Sequence, residues 1–391
     1  MLNTSLSPWP SFTQEEADAV SKVLLSNKVN YWTGTECREF EKEFAAFAGT
    51  QYAVALSNGT LALDVALKAM GIGQGDDVIV TSRTFLASAS CIVTAGANPV
   101  FADVDLNSQN ISAETIKAAL TPNTKAIIVV HLAGMPAEMD GIMDLAKEHD
   151  LWVIEDCAQA HGAKYKGKSV GSIGHVGAWS FCQDKIMTTG GEGGMVTTND
   201  KELWSKMWSY KDHGKSYDAV YHREHAPGFR WLHESFGTNW RMMEMQAVIG
   251  HIQLKRMHEW TARRQAHAAK LAESLGKFAS IRLIEVADYI EHAQYKFYAF
   301  VKPEHLKEGW TRDRIVNELN ARKVPCYQGS CSEVYLEKAF DNTPWRPKER
   351  LKNAVELGDT SLMFLVHPTL TDDEIAFCKE HIEAVLAEAT A

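Results

Sequence analysis

Short apolar runs rich in β-branched residues alternate with helical stretches along the first half of the chain, and this alternation most restricts the possible folds. Strands are predicted over residues 52–56, 77–80, 99–103, 126–131 and 151–155. Helices are predicted between them, over residues 60–70, 85–95, 113–120 and 139–149. Neighbouring parallel strands need a helical crossover between them, so the sequence predicts an α/β fold with a largely parallel sheet.

The pattern changes after residue 239, and the chain is long enough for more than one domain. Its 391 residues correspond to two or three domains of about 150 residues each. Residues 242–278 keep helical spacing with almost no Gly or Pro, which predicts one long helix or two in series. One strand and two helices are then predicted over residues 295–301, 311–322 and 371–389. We therefore predict a large domain over residues 1–255 and a smaller α+β domain over residues 256–391.

The segment Ser57-Asn58-Gly59-Thr60 directly follows a predicted strand and directly precedes a predicted helix. Glycine lets the backbone approach a ligand closely, and the N–H groups at a helix N-terminus favour an anion. The segment therefore suits a phosphate group. Considered alone, however, the same residues are better explained as an ordinary strand-to-helix turn.

Two acidic residues, Glu155 and Asp156, end an apolar strand and are followed by Gln159 and His161. Ligands of α/β sheets bind at the C-terminal ends of the strands, where an acid can hold a protonated heterocyclic nitrogen. An acid at a strand end also caps helices, so Asp156 alone supports both interpretations evenly. His161 stands beside a glycine, and a structural role suits it better than a catalytic one.

Lys185 lies between a predicted strand over residues 179–181 and a glycine-rich turn that leads to a predicted strand over residues 194–197. Exposure to solvent is the ordinary expectation for a lysine. Partial burial near other cations lowers the pKa of an amine and makes it nucleophilic, as a Schiff base with an aldehyde requires. The three segments together supply a phosphate site, an acid for a ring nitrogen and an amine for an aldehyde. Pyridoxal 5′-phosphate (PLP) carries all three partner groups.

Charge and composition disfavour several other classes of protein. The net charge of −10 disfavours general nucleic-acid binding, because phosphate contacts need clustered Lys and Arg. The seven cysteines include no Cys-x-x-Cys pair, so zinc ribbons and thioredoxin-like sites are not expected, and we predict no metal site. Scattered, unpaired cysteines suit a reducing compartment. No apolar run approaches the ~18 residues that span a bilayer, so we predict a cytoplasmic protein that does not contact membranes.

Further motifs occur along almost the whole chain. They are Tyr31-Trp32-Thr33-Gly34, Thr84-Phe85, His131-Leu132-Ala133-Gly134, the segments 155–162 and 180–194, and Asn239-Trp240-Arg241-Met242. With these residues the sequence resembles the DegT/DnrJ/StrS family of sugar aminotransferases. The resemblance implies the α/β fold of the fold-type I PLP-dependent transferases, which is aspartate aminotransferase-like. Such a fold has a large domain with a mostly parallel, seven-stranded sheet and a smaller C-terminal α+β domain.

The resemblance also implies roles for single residues. Lys185 would form the Schiff base with PLP, and Asp156 would pair with the pyridinium nitrogen. Gln159 would lie near the cofactor hydroxyl, and Phe85 would stack on the ring face, with a plain core phenylalanine as the alternative. The phosphate would be held by Asn58, Gly59, Thr60 and Ser180. Asn239 would reach the phosphate of the neighbouring subunit, which implies a homodimer with shared active sites.

The reaction that the resemblance implies is an amino transfer in two stages. L-Glutamate would give its amino group to the cofactor, and a keto or aldehyde sugar would then take it. Lys185, once released, would carry the proton as general base and then as general acid. Two other functions stay open, a sugar dehydratase of the same fold, in which His commonly replaces the lysine, and a non-catalytic paralogue. The presence of Lys185 and Asp156 favours the aminotransferase.

Residues 211–236 form a longer segment than the family pattern predicts, rich in His, Lys, Arg and aromatic side chains. A solvated surface loop is one interpretation. We favour a substrate lid, because loops carry specificity and this one precedes the Asn239 motif. Its cations suit an anionic sugar, either a nucleotide diphosphate or a sugar-acid carboxylate. The candidate substrate residues are Tyr31, His213, Arg223, Arg230 and Ser330.

Within the family, residues 211–236 and 329–335 resemble the branch that aminates sugars for lipopolysaccharide. The most similar type is 8-amino-3,8-dideoxy-manno-octulosonate transaminase, whose acceptor would be an octulosonate with an aldehyde at carbon 8. A nucleotide-linked keto-deoxyhexose is the alternative acceptor. The expected partners are therefore L-glutamate, a small anionic sugar and a second copy of the chain, with neither nucleic acid nor membrane.

Overall fold

The structure, a computed structural model, describes residues 6–391 of the chain. The helices are α1 (Gln14–Leu25), α2 (Glu36–Ala48), α3 (Gly59–Ala69), α4 (Ala87–Thr94), α5 (Ala113–Ala119), α6 (Met139–Glu148), α7 (Lys201–Lys211), α8 (Tyr217–Tyr221), α9 (Glu244–Leu275), α10 (Arg312–Ala321), α11 (Lys352–Thr360) and α12 (Asp372–Ala389). The strands are β1 (Tyr52–Leu56), β2 (Asp77–Thr81), β3 (Asn98–Ala102), β4 (Thr124–Val130), β5 (Trp152–Asp156), β6 (Lys164–Tyr165), β7 (Lys168–Ser169), β8 (Val176–Ser180), β9 (Gly194–Thr198), β10 (Ile281–Leu283), β11 (Ile290–Glu291), β12 (Phe297–Val301), β13 (Cys326–Tyr327) and β14 (Ser361–Phe364). The predicted strands and helices are all present, with small differences at their ends.

The central sheet has seven strands in the order β1-β9-β8-β5-β4-β2-β3. The pairs from β8 through β5, β4 and β2 to β3 are parallel, whereas β9 is antiparallel to both β8 and β1. The predicted mostly parallel, seven-stranded sheet is confirmed. Because β1 and β8 both oppose β9, they run in the same direction as β5. The C-terminal ends of β1, β5 and β8 therefore lie at one edge of the sheet.

Local sequence determines how the chain leaves that edge. The Oδ1 of Asn58 accepts a hydrogen bond from the backbone N–H of Leu61 at 3.0 Å, so α3 begins directly after β1. Residues 176–178 pair with β5, so β8 begins three residues before the predicted position and ends at Ser180. Phe181, which we predict to be in this strand, lies just beyond it, and its N–H donates to the carbonyl of Gly193 at 2.8 Å. The turn that carries Lys185 starts there.

The C-terminal part of the chain is built around a second sheet. This sheet has the order β10-β12-β14-β13, and it shares a buried apolar cluster with α9, α10 and α12. α9 is one continuous helix of 32 residues that passes through residue 255. The domain boundary that we predict there falls inside a helix, and the division into two domains stays a prediction. The two-residue strands β6, β7 and β11 form a third sheet and are too short to show a sequence pattern.

The cysteines are unpaired in the structure. All seven are free, and those at 37, 91, 157, 326 and 378 are buried. Buried, unpaired cysteines behave as small apolar side chains. Within residues 6–391, none of the helices combines the length and the apolar character that crossing a bilayer requires.

Candidate active site

The loops that follow β1, β5 and β8 enclose a cavity of about 670 Å³ at the C-terminal edge of the central sheet. Most residues predicted to bind the cofactor line it, namely Asn58, Gly59, Thr60, Phe85, Asp156, Gln159, Ser180 and Lys185. They come from separate parts of the sequence, so the fold is what brings them together. Asn239 is the predicted cofactor residue that does not line this cavity.

Ser180 and the N-terminus of α3 form a narrow cradle on one side of the cavity. A Cβ atom on Gly59 would lie 2.5 Å from the Cβ and 2.9 Å from the Oγ of Ser180, so a larger residue requires one of them to move. The side chain of Asn58 caps α3, and the first turn of this helix carries no acidic residue. The free N–H groups of that turn and the Ser180 hydroxyl therefore suit a phosphate group.

Asp156 ends β5 and lies in the cavity wall, where it is 6% exposed. Its Oδ2 accepts a hydrogen bond from the Ser88 hydroxyl at 2.8 Å, and its Oδ1 accepts one from the backbone N–H of Ala158 at 3.1 Å. Burial raises the pKa of this carboxyl group despite these hydrogen bonds. A nearby positive charge stabilises a buried carboxylate, so a protonated ring nitrogen fits beside Asp156.

Glu155 precedes Asp156 on β5, and successive side chains of a strand point to opposite faces. The carboxylate of Glu155 accepts hydrogen bonds from Nε2 of His131 and from three backbone N–H groups in residues 171–174. The Nδ1 of His131 accepts a hydrogen bond from the N–H of Ala137 at 3.1 Å, so both ring nitrogens of this histidine are occupied. This buried network holds the strand end that positions Asp156.

Gln159 and Phe85 present complementary groups to a flat ring. The Oε1 of Gln159 accepts a hydrogen bond from the N–H of Ala133 at 2.8 Å, which leaves its NH2 group to donate into the cavity. Phe85 is 70% exposed although it lines the cavity, so the alternative of a core phenylalanine is wrong. Its open face can stack on an aromatic ligand.

Lys185 reaches the cavity from the turn that follows β8, and its side chain is 17% exposed. Its Nζ lies 3.9 Å from Oδ1 of Asp184 and 5.2 Å from the ring centre of Tyr295. Its carbonyl accepts a hydrogen bond from the indole N–H of Trp9 at 2.8 Å, and its N–H donates to the carbonyl of Cys182 at 3.1 Å. An amine held in this way is suited to bind an aldehyde and to transfer a proton.

His161 lies behind the cavity, among the rings of Phe44, Trp179 and Phe181. Neither of its ring nitrogens has a hydrogen-bond partner within the described part of the chain. Burial lowers the pKa of His161 to about 3, so the imidazole is neutral. This placement agrees with the structural role that the sequence favours.

Two of the predicted substrate residues are held away from the cavity. Tyr31 is 2% exposed, and its hydroxyl donates to Oε2 of Glu41 at 3.1 Å and accepts from the indole N–H of Trp208 at 3.0 Å. The N–H of Ser330 donates to the Tyr298 hydroxyl at 2.9 Å. Within one chain Tyr31 is a packing residue, and neither Tyr31 nor Ser330 lines the cavity.

The segment 211–236 is a loop with a fixed base and an exposed tip. At the base, the N–H of Ser216 donates to the carbonyl of Leu232 at 2.8 Å, and the N–H of Glu234 donates to that of Gly214 at 2.9 Å. The predicted substrate residues of this segment are exposed and do not line the cavity of their own chain; they are His213, Arg223 and Arg230. Four aromatic side chains are also exposed, namely Tyr221 at 42%, Phe229 at 75%, Trp231 at 79% and Phe236 at 99%.

Three residues at the site are absent from the sequence interpretation. Asp184 is next to Lys185, and this adjacency is a signal that the sequence does contain. Ser88 bonds to Asp156 across 68 positions, and Tyr295 bonds to Asp184 across 111 positions. No spacing rule connects residues so far apart in sequence.

PLP requires from a protein a pocket for its phosphate, a negative charge for its ring nitrogen and an amine for its aldehyde. The ends of β1, β5 and β8 supply these groups on three sides of one cavity, so the chain is a PLP-dependent transferase of fold type I. It belongs to the DegT/DnrJ/EryC1/StrS aminotransferase family, whose sequence model matches residues 10–383.

One solved structure and two named enzymes that are similar to this chain support its assignment to this class of aminotransferases. A solved aminotransferase from Psychrobacter cryohalolentis is 65% identical, with a TM-score of 0.96 over 98% of this chain and 99% of its own. The UDP-N-acetyl-3-dehydro-alpha-D-glucosamine 3-aminotransferase of Acidithiobacillus ferrooxidans is 42% identical over 91% of this chain and 90% of its own. The dTDP-3-amino-3,4,6-trideoxy-alpha-D-glucose transaminase of Streptomyces venezuelae is 35% identical over 82% of this chain and 79% of its own.

Proposed function

We propose that the chain transfers the amino group of L-glutamate to a nucleotide-linked keto sugar. The observation that carries the proposal is the cavity that Lys185 shares with Asp156 and with the cradle of Gly59 and Ser180. The names of the Acidithiobacillus and Streptomyces relatives, both enzymes of nucleotide-linked sugars, support this class of acceptor. L-Glutamate as donor is supported by the family resemblance.

The residues of the cavity hold and polarise the cofactor. When bound, PLP supplies an aldehyde that takes up the amino group and a ring that withdraws electrons from the adjacent carbon. Asp156 would favour a positive charge on the ring nitrogen, because its carboxylate is buried, accepts hydrogen bonds from Ser88 and Ala158, and forms no close ion pair within the described residues. The N-terminus of α3 and Ser180 would hold the phosphate, and the amide NH2 of Gln159 would donate a hydrogen bond to the ring hydroxyl.

Lys185 is the residue that moves the proton. Its amine would accept the proton that leaves the carbon bearing the donor nitrogen and would return it on the cofactor side of that nitrogen. The low exposure of this side chain limits competition from water. Asp184 and Tyr295 lie against the amine and restrict its movement.

The proposed enzyme is a homodimer in which each chain completes the other's site. Asn239 is exposed, and it follows the loop 211–236 with its exposed Phe229, Trp231 and Phe236. A soluble monomer rarely exposes so many large apolar groups together. A second copy that covers them would bring Asn239 and the cations of the loop to a neighbouring cavity.

An octulosonate with an aldehyde at carbon 8 is the second candidate acceptor. The observation in its favour is that the exposed Arg230 has no ion pair within residues 6–391. A guanidinium group can bind a carboxylate with two parallel hydrogen bonds. The resemblance of residues 211–236 and 329–335 to the octulosonate branch agrees with this. The product would serve lipopolysaccharide synthesis.

Absorbance spectroscopy followed by acceptor assays tests the proposal. We expect the PLP-loaded protein to show a near-visible band that L-glutamate bleaches. A nucleotide-linked keto sugar should then restore the band, and the octulosonate aldehyde should restore it more slowly. A band that L-glutamate leaves unchanged contradicts the donor, and turnover with the octulosonate alone contradicts the nucleotide-linked acceptor.

A further inference from the structure

Asp184, Tyr295 and Lys296 form a charged cluster against Lys185, and the proton transfer described above gives Lys296 no part. The Tyr295 hydroxyl donates a hydrogen bond of 2.5 Å to Oδ2 of Asp184, and Oδ1 of Asp184 faces the Lys185 amine at 3.9 Å. The Lys296 Nζ lies 4.8 Å from the centre of the same Tyr295 ring, and the Lys185 Nζ lies 5.2 Å from it. The Asp184 carboxylate therefore lies in one cluster with the amines of Lys185 and Lys296, which both lie near the Tyr295 ring.

The charges in this cluster influence one another. Burial alone would raise the pKa of Asp184, but Lys185, the Tyr295 hydroxyl and Lys296 lower it below its usual value. Burial lowers the pKa of Lys296 to about 8, and the charge of Asp184 counteracts only part of that effect. Asp184 is thus ionised at neutral pH, and Lys296 titrates within the working range of an enzyme.

Asp184 is the carboxylate that lies within 4 Å of the Lys185 amine among the described residues. The other ionisable groups nearby are Asp156 after β5, His161 and Cys182 in the adjoining loops, Glu192 in the glycine-rich turn, Tyr295 and Lys296 before β12, and Arg264 on α9. Burial keeps the imidazole, the thiol and the phenol neutral, because it lowers the pKa of the His and raises those of Cys182 and Tyr295. Asp156 is committed to the ring nitrogen once PLP is bound.

We propose that Asp184 is a positioning residue, a carboxylate fixed by Tyr295 and balanced by Lys296, which orients the Lys185 amine and places a negative charge beside it. The proposal rests on the assignment of Lys185 as the lysine that binds PLP. A negative charge at about 4 Å stabilises the ammonium form of an amine, and a positive charge nearby destabilises it. Asp184 and Lys296 therefore act on Lys185 with opposite signs.

The test is a pH titration of the absorbance spectrum of the PLP-loaded protein. Asp184→Asn keeps an oxygen for the Tyr295 hydroxyl but removes the charge, so the apparent pKa of the bound chromophore should fall by about 0.5 to 1 unit. Lys296→Met removes a positive charge, so the apparent pKa should rise. Asp184→Glu retains the charge and should restore most of the wild-type value.

Two further variants distinguish a failure of the positioning role of Asp184 from a failure of the assignment of Lys185. Tyr295→Phe frees the carboxylate of Asp184 and should lower the apparent pKa by less than Asp184→Asn does, which keeps the test valid if the Asn variant does not fold. Lys185→Ala should abolish the pH-dependent band, and a band that persists would overturn the assignment of the lysine. Asp184→Asn and Lys296→Met curves that overlay the wild-type curve would overturn the positioning role alone.

Discussion

The cavity at the ends of β1, β5 and β8 and the loop 211–236 differ in how far a single chain completes them. In the cavity, Asp156, Gln159 and Lys185 are each held by hydrogen bonds from residues of the same chain. In the loop, the tip is exposed, and three aromatic side chains are 75%, 79% and 99% exposed. Both regions are predicted from the sequence as functional, but the lining residues of the cavity are fixed within one chain, whereas the tip of the loop is open to solvent.

This difference separates two tasks of an aminotransferase. Cofactor chemistry needs groups fixed to within a fraction of an ångström, and a network buried inside one chain supplies that. Acceptor recognition can use a surface that another molecule completes, either the sugar or a second copy of the chain. We therefore expect substitutions in the cavity to affect both half-reactions and substitutions in the loop to affect the acceptor half-reaction.

Lys185→Ala is the change with the largest expected effect. If Lys185 has the proposed role, the loss of its amine removes both the covalent attachment and the proton carrier, so transfer should fall by at least about 10³-fold. Stopped-flow absorbance with L-glutamate measures this. Lys206→Ala is the matched control, because its exposed amine pairs with Glu202 on the surface and should not matter. Activity in Lys185→Ala within tenfold of wild type would contradict the catalytic role.

Asp156→Asn tests the charge rather than the shape of the cavity. Asn can keep hydrogen bonds with Ser88 and Ala158, so the fold should survive, while the loss of charge beside the ring nitrogen should slow both half-reactions by about 100-fold. Single-turnover rates with donor and with acceptor measure this.

Ser88→Ala is the control for Asp156→Asn. It removes one hydrogen bond to Asp156 but keeps the carboxylate, so its effect should be about tenfold or less. Equal rates in Asp156→Asn and wild type would show that the ring nitrogen does not depend on this charge.

The sequence predicts the residues of the cavity well because their signals in the sequence are local. Strand and helix alternation predicts the sheet, and motifs at strand ends predict eight of the residues that line the cavity. The contact of Tyr295 with Asp184 spans 111 positions and leaves no local signal. Tyr31 shows the converse case: its motif suggests substrate binding, whereas within one chain its side chain is 2% exposed and hydrogen-bonded to Glu41 and Trp208. A motif alone does not distinguish packing from binding.

Gly59→Ala has a smaller expected effect and tests the cradle. The added Cβ would lie 2.5 Å from the Cβ of Ser180, so α3 or β8 must shift, and the affinity for PLP should fall by about 10- to 100-fold. A titration of the apoprotein with PLP, followed by absorbance, measures this. Gly73→Ala is the control, because its Cβ would come no closer than 3.8 Å to another residue, the carbonyl of Ala95. Unchanged PLP affinity in Gly59→Ala would contradict a phosphate site in the cradle.

Substitutions of Arg230 and Arg223 have the smallest expected effect and give the sharpest test of the loop 211–236. Both are exposed, but Arg223 pairs with Glu234 at 2.6 Å and Asp218 at 3.4 Å, whereas Arg230 has no ion pair in residues 6–391. If the loop binds an anionic acceptor, Arg230→Ala should raise the KM for the acceptor by about tenfold through the loss of a charge-assisted hydrogen bond.

Arg223→Ala should change that KM by less than about twofold, because the charge it removes is already neutralised within the loop. Neither variant should alter the rate with L-glutamate, since neither residue lines the cavity of its own chain. Steady-state kinetics with the acceptor and single-turnover kinetics with the donor separate these effects. An equal rise in KM for both variants would mean that the loop acts through its net charge, and a slower reaction with L-glutamate would mean that the loop belongs to the cofactor site rather than to acceptor recognition.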